Sequence, residues 1–246
     1  MITIKLQNQP LIYPDNRINQ PRYRNMQLSG FPYLVLSVLL VLMAGGAAAS
    51  EPCTPFEGGR VDAKLLAEMR EAATEGRLYR ILPGNSRVGF CVRHFPRQEF
   101  RGEFTNIVGG LSLPPAVGSP GRALLLIHTT SMESSNPDLD SLVQGHGFMD
   151  IEHYPEILFE GREFHWHNPI HAYIYGDLTL HGVKQPVAFD IEVDVLDSGQ
   201  DGRPEQIYIR GTGQVDRVEF DMRSHRFMVS QTVRLCLSIE LERWEQ

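Results

Sequence analysis

The chain has 246 residues, 42% of them hydrophobic, and a formal net charge of −7. This composition is ordinary for a folded globular protein and is unlike that of a disordered chain. Residues 1–49 hold four basic residues and one acidic residue, so the remainder is more acidic, at about −10. A protein this acidic repels phosphate backbones, which argues against nucleic-acid binding.

The N-terminal region has the pattern of a secretory signal peptide. An apolar run from Tyr33 to Met43 is followed by the small residues AGGAAAS. The run is too short to span a bilayer, and Ala47–Ala49 fits an A-x-A cleavage site that leaves Ser50 as the new N-terminus. We expect residues 1–49 to be removed on export, with Met26 as an alternative translation start. A retained membrane anchor is the competing interpretation.

Three cysteines in an exported chain predict one disulfide and one spare thiol. Cys91 and Cys236 lie at outward positions of their predicted strands, which become neighbours if the first strand meets the last. Pairing of Cys53 with either of them is the alternative. No C-x-x-C motif is present, so a thioredoxin-like redox site is not predicted.

Helical and strand periodicities divide the chain. Residues 61–74 predict a helix, with Leu65, Leu66 and Met69 as its apolar stripe, packed outside the fold or over one end of it. From Arg80 onward apolar residues recur with a period of two, which predicts strands. Asn136 to His146 form one helical insertion. The eight strand regions are SRVGFCVRH, FRGEF with GGLSL (kinked or bulged at Gly109-Gly110), RALLLIHTT, PEILFEGREF, AYIYGDLTL, QPVAFDIEVDV, QIYIRGTGQV and VSQTVRLCLSIELE.

Eight sequential antiparallel strands favour an all-β fold, a closed up-and-down barrel with a short N-terminal helix. A two-sheet sandwich is the competing architecture. The last strand separates the faces most clearly, because its even-numbered positions, from Arg234 to Glu242, are mostly polar. The predicted inward residues, together with Phe148 after the helical insertion, are Val88, Phe90, Val92, Ile157, Phe159, Leu178, Leu180, Val187, Phe189, Ile191, Val233, Leu235, Leu237, Ile239 and Leu241. They form either a packed core or the lining of an apolar cavity.

The sequence predicts no catalytic residues. It has no G-x-S-x-G motif and no phosphate-binding loop. Asp190, Glu192 and Asp194 alternate along one strand, which is typical of a solvated face and not of an acid–base pair. An enzyme acting inside the barrel would need a titratable residue at an inward position, and the strands offer almost none.

Nine histidines raise the question of a metal site. His165 and His167 would share one strand face and supply half of a site, but no further ligand pattern completes it. The segment HWHNPIH, which ends at His171, is typical of a hairpin rim. We therefore predict no metal site. The sequence treats the other scattered histidines as surface or turn residues, namely His94, His146, His153 and His181.

Several motifs, in order from Tyr79 to Glu242, resemble the YceI-like proteins. They are YRILPGNSRVGFCVRH, RGEF, FMDIEHYPEILFEG and GDLTLHGVKQPVAF, the third being the most specific. One stretch departs from the family pattern: RVEFDM keeps Arg217 and Phe220 but places Asp221 where the family often has glycine.

The resemblance implies a lipocalin-like barrel in a periplasmic protein that binds polyisoprenoids or another long amphiphile, such as a quinone-like lipid, without catalysis. It implies no other cofactor and a homodimer as one assembly, while the lack of any other long apolar run in the sequence predicts no stable membrane insertion after cleavage. Tyr173, Tyr175 or the HWH rim are candidates for contact with a polar head group. The expected organisation is a leader (1–49), an extension with a helix (50–78) and the barrel domain (79–246). The alternatives are a barrel enzyme or a surface-interaction protein acting on or near lipid-like molecules.

Overall fold

A computed structural model describes residues 61–113 and 121–244. The predicted leader and Cys53 lie outside these residues. The helices are α1 (Ala63–Thr74) and α2 (Pro137–Gln144), and a 3₁₀ turn covers Thr129–Ser131. The strands are β1 (Leu78–Ile81), β2 (Arg87–His94), β3 (Gln98–Phe104), β4 (Ile107–Ser112), β5 (Arg122–His128), β6 (Met132–Ser134), β7 (Glu156–Trp166), β8 (His171–Leu180), β9 (Val183–Ser198), β10 (Pro204–Asp216) and β11 (Val229–Arg243).

The strands close into an antiparallel barrel, as predicted. Around the ring the order is β1-β4-β5-β7-β8-β9-β10-β11, and β11 returns to β1. Strand β2 continues along β11 beyond β1, β3 pairs with β2, and β6 pairs with β3. The first three strands of the barrel are therefore each interrupted once, giving the pairs β1 and β2, β3 and β4, and β5 and β6. The eleven strand segments thus build an eight-stranded wall. Closure leaves few unpaired strand edges, which explains why long apolar strands are tolerated.

The interruptions differ from the prediction in the second strand region. The break between β3 and β4 falls at Thr105–Asn106, whereas Gly109 and Gly110 stay in a continuous ladder opposite Leu125 and Leu124. Gly109 has φ +142°, a conformation open to glycine and rare for other residues. The predicted bulge is therefore wrong, although the backbone at Gly109 is special. Strands β1 and β6 escape the sequence pattern because three or four residues carry too little alternation.

Strand β11 confirms the predicted alternation. Ile239 and Leu241 are buried, while Arg234 and Cys236 are exposed. At this half of the barrel, inward residues from neighbouring strands fill the interior completely: Tyr79, Ile207 and Ile209 are all nearly inaccessible. We call this the packed end, and it contains the turns that join β7 to β8 and β9 to β10.

Helix α1 packs on the outside of the barrel, as one of the two predicted placements has it. The Asp62 side chain accepts the Lys64 amide at 2.8 Å and caps its N-terminus. Leu65 and Met69 are buried against outward residues of three strands, Leu78, Leu124 and Leu158. The outer face of these strands is thus apolar where the helix covers it, which is why β5 reads as a continuous apolar run.

Helix α2 confirms the predicted insertion. The Asn136 side chain accepts the Leu139 amide, and Pro137 begins the helix, where its missing N–H costs nothing. Strand β6 pairs with β3 and has no second partner among the described residues, so the wall parts between β6 and β7. Leu139 and Val143 of α2 pack against the core at this place. The helix therefore forms part of one end of the barrel.

Candidate apolar binding site

An apolar cavity of about 270 Å³ occupies the half of the barrel opposite the packed end. Twenty-eight residues line it, and all but His94, Arg217 and His225 are apolar. Three apolar wall residues, Phe95, Leu142 and Met228, are also exposed to solvent, so they mark where the cavity opens. We call this opening the mouth. The volume is close to the lower end of ligand pockets, about 300–1,000 Å³, and is enough for part of one long chain.

The sequence left a packed core and a lined cavity as alternatives, and the structure divides the barrel between them. Twelve of the sixteen predicted inward residues lie in the cavity wall: Val88, Phe90, Val92, Phe148, Ile157, Phe159, Leu178, Leu180, Phe189, Val233, Leu235 and Leu237. The other four, Val187, Ile191, Ile239 and Leu241, are buried in the core without reaching the cavity. Whether the twelve bind a ligand remains a prediction.

Aromatic rings shape the wall. Phe90 packs against Phe100 and Phe104, with ring centroids 5.8 Å and 5.6 Å apart, and Phe159 meets Phe189 edge-to-face at 5.0 Å. A Cβ on Gly102 would lie 2.7 Å from the Phe90 ring, so glycine is needed there to seat the ring. Edge-to-face and tilted pairs of this kind are favourable and hold rings in place. The wall is therefore a preformed apolar surface.

Several wall residues were not predicted. Phe100 and Phe104 flank Gly102 with the period of two, a signal present in the sequence. Leu139, Leu142 and Val143 have helical spacing, but their direction depends on how α2 meets the barrel. The β10–β11 loop also contributes to the wall, and no periodicity marks such a loop. Its contributions are Arg217, Met222, His225 and Met228.

Arg217 anchors the β10–β11 loop at the mouth. The residue is 2% exposed, and its guanidinium donates to the carbonyls of Ser230 at 2.9 Å, Val229 at 3.1 Å and Met222. Burial lowers the pKa of Arg217 from its ordinary value. Phe148 stacks on His225 with centroids 5.5 Å apart, which ties the α2–β7 loop to the same place. The mouth is therefore built from loops that contact one another.

The one buried acid among the described residues lies outside the barrel interior. Glu160 is 1% exposed, and its outward carboxylate accepts the Asp62 amide at 2.9 Å and pairs with Lys184 at 2.5 Å. These contacts hold the start of α1 against the wall. Glu160 is thus paired and structural, and the cavity wall contains no carboxylate.

Two histidines that the sequence treated as scattered converge on one aspartate. His146 Nδ1 lies 2.8 Å and His153 Nδ1 lies 3.0 Å from the carboxylate of Asp150. Desolvation raises the pKa of Asp150, but the hydrogen bonds from both histidines outweigh it, so this pKa is lowered. The hydrogen bond that His153 donates to the Asp150 carboxylate raises the pKa of His153. Two imidazoles and a carboxylate are also a possible ligand set for a transition metal. Both histidines are exposed and lie in turns, as predicted, and the turn after α2 brings them together on Asp150.

The residues that the sequence suggested for head-group contact do not lie at the mouth of the cavity. The segment from His165 to His171 does form a hairpin rim, but this rim is at the packed end of the barrel. Tyr173 and Tyr175 point outward from β8, where they contact the rings of His167 and His165 at 5.0 Å. The cause is strand direction, because β7 starts near the mouth and runs away from it. No metal-ligand group that includes these histidines is found among the described residues.

Cys91 and Cys236 are free thiols on neighbouring strands. The register sets Cys91 opposite Arg234 and Cys236 opposite Gly89, so the two cysteines are diagonal neighbours. Diagonal Cα atoms on adjacent strands are about 7–8 Å apart, beyond the usual span of a disulfide. The structure therefore does not contain the Cys91–Cys236 pair, and the alternative with Cys53 lies outside the described residues.

A closed eight-stranded antiparallel barrel with an apolar cavity at one end is the architecture of barrel proteins that hold one small ligand. The model of the YceI-like domain matches residues 79–241, and the chain belongs to this family. A Yersinia pestis protein described as UPF0312 is 24% identical over 156 residues, covering 62% of this chain and 79% of that protein.

Solved structures share the fold at low identity. The Campylobacter jejuni YceI protein is 20% identical with a TM-score of 0.54, covering 61% of this chain and 89% of its own. A polyisoprenoid-binding domain from Saccharophagus degradans is 13% identical with a TM-score of 0.51, covering 67% and 98%. At these identities the likeness establishes the fold alone. Within residues 61–113 and 121–244, no helix is long and apolar enough to cross a bilayer.

Proposed function

We propose that this protein is a periplasmic carrier that holds the chain of an isoprenoid, or of a similar long amphiphile, in the barrel cavity. The observation that carries the proposal is the cavity itself, which is apolar in 25 of its 28 wall residues. Membership of the YceI-like family and the fold shared with a domain described as polyisoprenoid-binding support the same ligand class.

The cavity volume sets the scale of the affinity. A water molecule in the liquid occupies about 30 Å³, and a methylene group is of similar size, so about 270 Å³ accommodates on the order of nine methylenes. At about 0.8 kcal/mol per buried methylene, the chain contributes roughly 7 kcal/mol before the costs of association. Without any polar contact, the chain alone therefore supports a dissociation constant no tighter than about 10 μM, and the costs of association weaken it further. Longer chains continue through the mouth.

The polar wall residues lie near the opening, which supports a head group at the mouth. Arg217 is occupied by three backbone carbonyls, so His94 and His225 are the wall residues that can meet a polar group. Because the wall carries no carboxylate and no nucleophile, we propose binding without catalysis. The apolar run before Ser50, with its A-x-A sequence, supports export to an aqueous compartment, where an insoluble lipid needs a carrier.

Native mass spectrometry of the exported chain, purified from the periplasm without detergent, tests the proposal. We expect a stoichiometric mass increment, and extraction with organic solvent should release a prenyl or acyl compound. The same spectrum gives the oligomeric state, and the family resemblance suggests a homodimer as one assembly. A clean apo mass, together with no uptake of added quinone or polyprenol, would overturn the carrier function and favour a barrel that acts through its surface.

A further inference from the structure

Three large apolar side chains stand in solvent beside the mouth. Phe227 is completely exposed, Phe95 is 70% exposed and Met228 is 56% exposed. They come from two loops, the β2–β3 turn and the β10–β11 loop, which the Phe95 amide joins by donating to the Met228 carbonyl at 2.7 Å. We call these three residues, with the arginines of the two loops, the mouth patch. Exposed apolar clusters of this kind mark interaction surfaces.

The mouth patch is continuous with the cavity. Phe95 and Met228 belong to the cavity wall while also facing solvent, so an apolar path runs from outside the barrel to its interior. A lipid that enters from water would not require such a path beyond the barrel. A lipid that enters from a membrane would, because its chain can then move from bilayer to cavity without crossing water.

The mouth patch is basic although the protein is acidic. Residues 93–98 contain Arg93 and Arg97 and no acid. The β10–β11 loop adds Arg223 and Arg226, of which Arg223 pairs with Asp221 at 2.9 Å. Within the described part of the chain, neither Arg97 nor Arg226 forms an ion pair. The β10–β11 loop also contains the exposed Glu219, so two net positive charges surround the exposed aromatics in a protein of net charge −7.

The packed end also exposes apolar side chains, but the charge around them is opposite to that of the mouth patch. Val195 and Leu196 are also about half exposed there, but acidic residues flank them, Asp194 on one side and Asp197 on the other. An anionic surface repels that end and attracts the mouth patch. The rim formed by α2 also carries acids, Asp138 among them. The protein should therefore approach such a surface with the two basic loops first and α2 tilted away.

We propose that the mouth patch docks the protein on an anionic lipid bilayer, with Phe227 and Phe95 inserted at the interface and the arginines on lipid head groups. This inference rests on the proposed function, since it gives the carrier its place of loading and release. Basic residues near an anionic membrane gain about fivefold in binding each, and an aromatic side chain buried in the interface gains about tenfold. Docking of this kind is reversible and weakens with salt.

Sedimentation with sucrose-loaded vesicles tests the docking. The exported chain is mixed with vesicles of phosphatidylcholine alone or with one quarter phosphatidylglycerol, neither containing isoprenoid. We expect binding to the anionic vesicles, about tenfold weaker for Phe227→Ser and about 25-fold weaker for Arg97→Gln with Arg226→Gln. Val195→Ser with Leu196→Ser, the matched change at the packed end, should stay within about twofold of the parent.

A fluorescent reporter adds the site of contact. Phe227→Trp should give a blue-shifted emission with anionic vesicles, whereas the two native tryptophans, Trp166 and Trp244, lie at the packed end and should not change. No sedimentation of the parent chain, or an equal loss for the packed-end control, would overturn the docking.

Cargo binding is measured separately, by uptake of a polyprenol delivered from cyclodextrin without vesicles. Uptake without vesicle binding overturns the docking and leaves the carrier function standing. Vesicle binding without uptake overturns the carrier function. The docking would then no longer be a site where cargo is loaded.

Discussion

A carboxylate placed in the cavity wall should make ligand binding depend steeply on pH. Leu235 lines the cavity from β11, opposite Phe90 on one neighbouring strand and Gly213 on the other. Leu235→Glu puts a titratable group against the ligand chain, and Leu235→Gln puts a neutral group of the same shape there. Comparing the two variants removes the effects of shape and of burying a polar group, because both share them.

The magnitude follows from the ordinary glutamate pKa of about 4.3. An apolar chain excludes water from the carboxylate, so the complex needs the neutral form. At pH 7 neutralisation costs about 1.36 kcal/mol for each of 2.7 pH units, or roughly 3.7 kcal/mol. The Glu variant should therefore bind at most about 500-fold more weakly than the Gln variant at pH 7, and only about fivefold more weakly at pH 5.

Displacement of a fluorescent fatty-acid analogue at both pH values measures these ratios. Gln214→Glu is the matched outer-face control. Gln214 is exposed on β10 and lies opposite Arg234, the residue that precedes Leu235 on β11. It adds the same charge at nearly the same height and should leave affinity unchanged. If the ratio of Glu to Gln variants stayed constant between pH 5 and pH 7, Leu235 would not contact the ligand chain and the assignment of the cavity would be refuted.

Three further predictions concern the frame of the site. Arg217→Lys should lower the free energy of unfolding by about 2–3 kcal/mol in urea titration, because the three carbonyls accept from three different nitrogens of a planar guanidinium and a single ammonium nitrogen cannot reach all three positions; an unchanged midpoint would contradict this. Gly109→Ala should cost about 2 kcal/mol or more, since φ is +142° and the new Cβ would lie 2.0 Å from the Leu124 carbonyl oxygen, whereas the exposed neighbour Val108→Ala should cost little. Asp150→Asn should lower the pKa of His153 toward 6.5 in an NMR titration, and a pKa that stays raised would show that another group causes it.

The directions of the two pKa shifts, raised for His153 and lowered for Asp150, also define the pH range in which the pair stabilises the protein. The contribution of His153 to stability is present in full below its unfolded pKa of about 6.5, and it is lost as the pH rises through its raised folded pKa. The contribution of Asp150, whose pKa is lowered, is present above its unfolded pKa and is lost as the pH falls through the folded value. The pair therefore stabilises the α2–β7 loop most between these limits, and Asp150→Asn should remove the dependence at both.

Much of the fold is readable from the sequence because it depends on local patterns. The alternation along β11 and the Asn136-Pro137 start of α2 each appear in the structure where periodicity and capping place them. Barrel closure followed from strand number and from the YceI-like motifs. The division into a packed and a hollow half did not, because Ile239 and Leu235 have the same parity and differ only in height along the wall.

The missed features all depend on which parts of the chain meet in space. His146, Asp150 and His153 converge through the turn after α2, which no strand or helix period describes. The HWH rim was assigned to head-group contact because a sequence does not state which end of a barrel is open. The mouth patch was missed for the same reason, because Phe95 and Met228 are more than 130 residues apart in the sequence and meet through one backbone hydrogen bond.

The most direct test of the central claim is the affinity of the exported chain for a series of linear primary alcohols of increasing length. Burial of the chain in a cavity of about 270 Å³ predicts that each added methylene strengthens binding about fourfold, until about nine are enclosed. Beyond that length the gain per methylene should fall sharply, as the chain leaves through the mouth. An affinity that does not change with chain length would contradict the account, because the cavity would then not be where the chain binds.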